Sequence, residues 1–277
     1  MNPMISIITV SLNPGGRLKE TLESIRSQTF RDFEVIVKDG GSLDESLSSI
    51  RDFEDLPLKL VVKEDAGIYD AMNEALKYAH GDFVYFLNCG DTFASEKSLA
   101  SIAGPLRAKM PKNEDGSVIE KRLIVYGNIL DRRTKKIVAS NPKINAFACY
   151  RNIPCHQACF YSRNLLLEHP FDPRFRVRAD YEQFLWCFFR TDTEFVFLDR
   201  TVAVFEGGGY SEKHEHRSAE EHKKIAKMYF KPLQLFSYRA LLLLTLAPLR
   251  TKLAGNPKTA GFYNALKRFI YRFRRPR

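Results

Sequence analysis

A chain of 277 residues, 44% of them hydrophobic, can bury a sizeable core and needs neither a disulfide framework nor a structural metal to fold. Its five cysteines are an odd number spread through apolar segments, which fits reduced, buried thiols rather than a cross-linked secreted scaffold. The formal charge of +10 is localised: residues 231–277 hold eleven Lys and Arg and no Asp or Glu, which leaves 32 basic against 33 acidic residues in an almost neutral remainder.

Residues 4–10 are a β-branched apolar run that breaks at Ser11-Leu12-Asn13-Pro14-Gly15-Gly16. Leu18, Leu22 and Ile25 then recur at helical spacing, so the order is strand, loop, helix. A second strand, residues 33–37, ends in Lys38-Asp39-Gly40-Gly41-Ser42-Leu43-Asp44, where the glycines permit a tight turn and Asp44 can cap the next helix. Residues 58–62 form a third, ending at Lys63-Glu64-Asp65. In residues 67–91 a helix-period segment passes a glycine stop into an apolar strand that ends in Asn88-Cys89-Gly90-Asp91. Four successive strands finishing in polar loops, with room for crossover helices between them, predict a mostly parallel α/β sheet. Ligands bind beyond the carboxyl ends of such strands, and a carboxylate like Asp91 there either holds a cation on a diphosphate or closes a buried strand.

Further along, residues 105–117 predict a surface excursion between two halves of the domain. Residues 122–131 and 194–205 read as strands and 163–169 as a short helix, with another helix at 181–189 opened by Asp180. Ser218 and Glu221 have capping-box spacing at the start of a helix that ends near Phe230. In the basic tail, the longest apolar run, residues 240–249 broken by Thr245 and Pro248, is too short to span a bilayer. Basic residues interleaved with aromatic and aliphatic ones suit a helix lying on an anionic membrane surface. Packing on the domain and pairing with another subunit, as a homo-oligomer, are the alternatives. Because the first residues lack the basic flank and apolar length of a signal peptide, the expected location is cytoplasmic, peripheral on the inner face of the cytoplasmic membrane.

Five segments, taken together and in order, carry a resemblance. They are Ile7 to Asn13, Ser27-Gln28-Thr29-Phe30 with Phe33-Glu34, Asp39 to Asp44, Gly67-Ile68-Tyr69-Asp70-Ala71-Met72-Asn73, and Gly81 with Phe86 to Asp91, joined further along by Arg178-Ala179-Asp180-Tyr181-Glu182. Over roughly the first two hundred residues the chain resembles the family 2 glycosyltransferases, which have the GT-A fold. The resemblance implies a mostly parallel central sheet flanked by helices, here with a C-terminal basic amphipathic helical appendage. It divides the chain into a nucleotide-sugar-binding half (1–95), an acceptor-binding half with the catalytic base (96–217) and the C-terminal segment (218–277). Within the family, the GIYDAMN and FLNCGD segments resemble enzymes that build bacterial surface polysaccharide or lipid-linked oligosaccharide.

The same resemblance implies the site residues. Thr9, Ser11, Asn13, Asp39, Asp65 and Asn88 match positions near the nucleotide sugar; Thr9 has a structural alternative as a strand residue, and Asp65 as a helix cap. The family's Asp-x-Asp-Asp metal run stands here as Asn88-Cys89-Gly90-Asp91, with two acids missing. Asp91, with His214, is the expected ligand of a divalent cation, Mg²⁺ or Mn²⁺, and a metal-independent site that uses basic side chains stays open. Asp180 matches the family's base, which takes the proton of the acceptor hydroxyl; capping its helix is the alternative. Glu182, two residues on, points to another face. His156-Gln157 and the loop from Glu206 to Ser211, with His214 and His216, complete the expected site.

The implied function is an inverting hexosyltransferase that takes a sugar from a nucleoside diphosphate sugar to a hydroxyl of a lipid-linked glycan in bacterial cell-surface polysaccharide biosynthesis, with no nucleic-acid partner. The alternative is a weak or inactive GT-A-fold binding or scaffold protein at the membrane. A dinucleotide-dependent oxidoreductase is disfavoured, because Ser11-Leu12-Asn13-Pro14-Gly15-Gly16-Arg17 lacks the glycine fingerprint.

Overall fold

The computed structural model describes residues 2–110, 121–208, 214–244, 253 and 259–273. The first half runs β1 (Ile5–Ser11), α1 (Arg17–Arg26), β2 (Phe33–Asp39), a 3-10 helix (Glu45–Phe53), β3 (Leu58–Val62), α2 (Ile68–Leu76), β4 (Phe83–Phe86), β5 (Thr92–Phe93) and α3 (Ser98–Lys109). The second half runs β6 (Leu123–Asp131), β7 (Lys136–Val138), α4 (Ala146–Arg151), a 3-10 turn (His156–Ala158), β8 (Cys159–Ser162), α5 (Arg163–Glu168), α6 (Ala179–Arg190) and β9 (Glu194–Phe205). Three helices come after them: α7 (Glu215–Tyr229), α8 (Pro232–Leu244) and α9 (Ala260–Phe273).

Among the described residues one sheet has the order β3-β2-β1-β4-β8-β6-β9-β5, with β7 added to β6 as a hairpin. It is parallel through β3, β2, β1 and β4. Beyond β4 it is mixed, since β8 runs antiparallel to both β4 and β6 while β9 is parallel to β6. Period-2 alternation along buried strands sends side chains to two cores. Ile8, Val10, Val84, Phe86, Ile124 and Tyr126 face the one covered by α2, α6 and α7. Ile5, Ile7, Phe83, Tyr85, Leu123 and Val125 face the one covered by α1 and α3. This two-sided burial is why the strands read as near-continuous apolar runs. Gly81 precedes β4 because a Cβ there would stand 2.5 Å from the Ser6 amide nitrogen, while its own N–H donates to Ser6 Oγ at 2.8 Å.

Two sequence expectations are corrected. Pro105 does not open a surface excursion; α3 runs through it to Lys109, because Leu99, Ile102, Ala103 and Leu106 are buried and outweigh one lost helix bond. Residues 111–117 lie outside the described set. Ser218 and Glu221 do not cap α7, which begins three residues earlier at Glu215. Both instead reach across to the loop before α6, where Ser218 Oγ accepts from Arg178 Nε at 2.8 Å. The Glu221 carboxylate accepts from the backbone N–H groups of Arg176, Val177 and Arg178 at 3.1, 2.9 and 3.0 Å.

The C-terminal helices pack on this domain in part. Leu235, Tyr238 and Leu242 of α8 lie against the α6–α7 core, with the Tyr238 ring 5.3 Å from that of Phe147 and 5.4 Å from that of Tyr150. On its other side Leu233, Phe236, Leu243 and Leu244 are exposed, as are Phe262, Leu266 and Phe269 of α9. Among the described residues no helix is long and apolar enough to cross a membrane. All five cysteines are free.

Candidate active site

A cleft of about 860 Å³ opens where β1, β4 and the turn before β8 end, and Ser11, Asn88, Asp91, His156, Gln157 and Asp180 all line it. Asp39 is fully buried behind Ser11. Its Oδ1 accepts from the Gly41 and Ser42 amides at 2.9 and 2.6 Å, and its Oδ2 from the Ser11 and Ser42 hydroxyls at 2.8 and 2.6 Å. Burial alone would raise this carboxyl, but the four donors, those of Ser42 foremost, hold it below the usual carboxylate range.

Beside it Lys38, fully buried, donates to Asp65 Oδ2 at 2.5 Å and to the Lys63 carbonyl at 2.6 Å, while Asp65 Oδ1 accepts from the Gly67 amide at 3.1 Å. Asp65 therefore neutralises a buried ammonium and braces the turn into α2. Asn13, in a left-handed conformation (φ 46°), ties the loop after β1 to the loop after β2: its N–H donates to Ser42 Oγ and its Oδ1 accepts from the Leu43 amide. Thr9 lies beneath the cleft rather than on its wall, fully buried and donating to the Leu87 carbonyl at 2.9 Å.

The end of β4 is built differently. Asp91 is 4% exposed and, among the described residues, has two donors on its carboxylate, Gln157 Nε2 at 3.0 Å and the Glu206 amide at 2.9 Å. Desolvation outweighs them and pushes it up to about 6. Gly90 (φ +97°) lets the backbone turn here, and a Cβ on it would collide with the Glu206 carboxylate. Glu206 in turn pairs with Arg17 at 3.6 Å. Asn88 Nδ2 lies 3.0 Å from His156 Nε2, whereas Asn88 Oδ1 is buried with no hydrogen-bond partner.

Asp180 stands in the first turn of α6. Tyr69 OH donates to its Oδ1 at 2.9 Å and also contacts the Val177 carbonyl at 3.1 Å, and His156 Nδ1 lies 3.6 Å from its Oδ2. Burial opposes the charge, yet His156, Arg178 and Tyr69 together hold this carboxyl below its ordinary value, so it is an ionised acceptor of protons at neutral pH. Glu182 is turned away, bonded to Tyr229 OH and to His169 Nε2 at 2.9 Å.

The structure thus gathers Ser11, Asn88, Asp91 and Asp180 on one cleft and sets Thr9, Asn13, Asp39 and Asp65 as the framework beneath and beside it. His214 is not among the described residues that line the cleft; it stands half-buried at the start of α7. Gly207 and Gly208 of the expected glycine loop line the cleft, and residues 209–211 lie outside the described set. Among the described residues there is no group of three or more His, Cys, Asp and Glu able to hold a metal ion. The residues that are present fit a hard cation of limited protein coordination: a desolvated carboxylate at Asp91 and a buried amide oxygen at Asn88 without a partner, with diphosphate and water as the remaining ligands. Sequence reasoning missed Tyr69, Arg17 and the bracing role of Glu221. Tyr69 alone had a signal, its place inside the GIYDAMN segment.

Residues 6–169 match the family described as Glycosyl transferase family 2. The chain is 34% identical over 214 residues to a PGL/p-HBAD biosynthesis glycosyltransferase of Mycobacterium bovis (BCG), covering 76% of this chain and 79% of the relative. It belongs to glycosyltransferase family 2. Two solved structures share the fold. The mannosyltransferase PcManGT of Pyrobaculum calidifontis, in complex with GDP-Man and Mn2+, superposes at a TM-score of 0.63 with 20% identity over 99% of this chain and 83% of that one. S. aureus TarS 1-349 with UDP-GlcNAc gives a TM-score of 0.61 with 19% identity over 83% of this chain, which spans 65% of that neighbour.

Proposed function

We propose that this glycosyltransferase is an inverting, hexosyl-type enzyme that transfers a sugar from a nucleoside diphosphate sugar to a hydroxyl of a lipid-linked glycan in bacterial cell-surface polysaccharide biosynthesis. The observation that carries the reading is the pair of carboxylates on one cleft in opposite electrostatic states, Asp180 held ionised by hydrogen-bond donors and Asp91 desolvated and short of them. An ionised Asp180 can accept the proton of an acceptor hydroxyl as its oxygen bonds the anomeric carbon, while the bond from that carbon to the diphosphate breaks and the diphosphate leaves with the electron pair. Tyr69 and His156 orient this base, and Glu221 fixes the loop that carries it. Asp91 and Asn88 would hold a divalent cation, which when bound neutralises charge on the leaving diphosphate. Ser11, anchored to Asp39, lines the donor side. The neighbours solved with GDP-Man and Mn2+ or with UDP-GlcNAc support a nucleotide-sugar donor.

The exposed apolar residues of α8 and α9, beside a tail without acids, support peripheral attachment to an anionic membrane. The deciding experiment is thermal-shift screening against UDP, GDP, dTDP and CMP with and without Mn²⁺ or Mg²⁺. A metal-enhanced rise with one diphosphate is expected, since selective binding stabilises the folded state by mass action. A folded sample that responds to none of them would overturn the transferase reading in favour of a scaffold. Flotation with anionic liposomes at low salt tests the membrane contact, which fails if the full chain stays unbound.

A further inference from the structure

The C-terminal helix α9 reaches the cleft. In a basic amphipathic tail the lysines are expected to keep their charge in water. Lys267 instead lines the cleft, half-buried, with Nζ donating to the Ala139 carbonyl just beyond β7 at 2.7 Å. Arg151, at the end of α4, also lines the cleft, exposed and with its guanidinium 6.0 Å from the centre of the Phe147 ring. Burial, and then the like charge of Arg151, push the Lys267 ammonium down to about 8. Both influences oppose its charge, and an anion seated between the two cations would relieve both.

Ala139 follows β7, which pairs with β6, two strands from β4 and three from β1 in the sheet. The charged groups that act most strongly on Asp91 and Asp180 are His156, Glu206 and Arg178, and neither Lys267 nor Arg151 is among them. Arg151 and Arg178 also border a second concavity of about 590 Å³, with Lys223 of α7 and Arg239 of α8, next to the exposed apolar side of α8. A line of cations therefore leads from the cleft towards that surface, with Glu215 the one acid among the described residues of the second concavity's lining.

We propose that Lys267 and Arg151 form an anion subsite of the cleft that binds a phosphate group carried by the acceptor, which makes α9 part of the substrate-binding site. The word acceptor rests on the transferase reading; the anion subsite itself does not.

The test is titration of phenyl phosphate at constant ionic strength, monitored by 31P line width, on full-length wild type and on Lys267→Ala, Lys267→Arg and Arg151→Gln. In parallel, each protein is titrated with the nucleoside diphosphate selected by thermal shift. Saturable phosphate binding is expected in the wild type, at least fivefold weaker in Lys267→Ala and Arg151→Gln, and recovered in Lys267→Arg. Nucleoside diphosphate affinity should change by less than twofold. Arg151 is exposed, so its variant reports on binding even if a change at Lys267 disturbs folding. Unchanged phosphate binding in both neutral variants would overturn the subsite. An equal loss of nucleoside diphosphate affinity would assign the cations to the donor and overturn the acceptor assignment. Flotation with phosphatidate vesicles that weakens in step with phosphate binding would assign the phosphate to membrane headgroups, again against the acceptor. A wild type that binds phenyl phosphate but no nucleoside diphosphate would defeat the transferase reading and leave the anion subsite standing.

Discussion

The carboxylates at the ends of β2 and β4 are both hidden from solvent and behave oppositely. Asp39 is fully buried with four donors and lies below its ordinary pKa; Asp91 is 4% exposed with two and is lifted to about 6. Desolvation weighs more heavily on Asp91, and fewer donors are there to offset it. Where a loop such as 40–42 folds back and satisfies the carboxylate, the residue is part of the framework. Where only a glutamine and one amide reach it, the charge is incompletely compensated and the site gains most from an incoming cation.

That comparison can be broken by substitution. The largest expected effect lies outside the pair, at the proposed base: Asp180→Asn should lower kcat on the order of a thousandfold, within the range for a general base, with nucleoside diphosphate binding changed less than twofold by calorimetry. Activity equal to wild type would remove Asp180 as the base. At Asp91, replacement by Asn should cost on the order of a hundredfold in metal-dependent nucleotide affinity while raising the melting temperature at pH 7.5. The sign comes from the raised folded value: the ionised form is disfavoured by folding, so the wild type is penalised above about pH 6 and not below the ordinary 3.8. The gain from Asn, on the order of 3 kcal/mol at most, should therefore shrink to nothing as pH falls from 6 to 4. A variant less stable than wild type at pH 7.5 would show that Asp91 is as well satisfied as Asp39.

Asp39→Asn should do the reverse and lower unfolding stability by about 1–3 kcal/mol even without ligand, because an amide cannot accept from all four donors. Chemical denaturation measures this, and no loss would erase the contrast between the two strand ends. The smallest effect is expected at Tyr69→Phe, about tenfold in kcat/KM from one lost hydrogen bond to a charged group. Without that donor the Asp180 carboxyl rises towards its ordinary value, so the acid limb of the rate profile should move to higher pH. A limb that stays in place would leave Asp180 to His156 and Arg178 alone.

Much of the fold was legible because its signals are local. The apolar runs, glycine stops and helical spacing of the first 95 residues place β1 to β4 within a residue or two, and Asp44 does cap the 3-10 helix after β2, accepting from the Ser46 amide. The antiparallel insertion of β8 between β4 and β6 was not legible, since pairing partners far apart in sequence leave no periodicity. Ser218 and Glu221 show the limit most clearly: their spacing satisfies a helix-cap rule, but the competing partners, three unsatisfied amides before α6, come from residues some forty positions earlier.

By itself, then, the sequence determined the family and the strand-ending loops, and it singled out Asp91 and Asp180, because a backbone turn and a motif are properties of neighbouring residues. Only the tertiary structure decided which carboxylates are satisfied and which are not, that His156 lies between Asn88 and Asp180, and that Lys267 of the basic tail lines the cleft. Charge state and hydrogen bonding depend on the surroundings of each group, and those are assembled from segments that the chain keeps far apart until it folds.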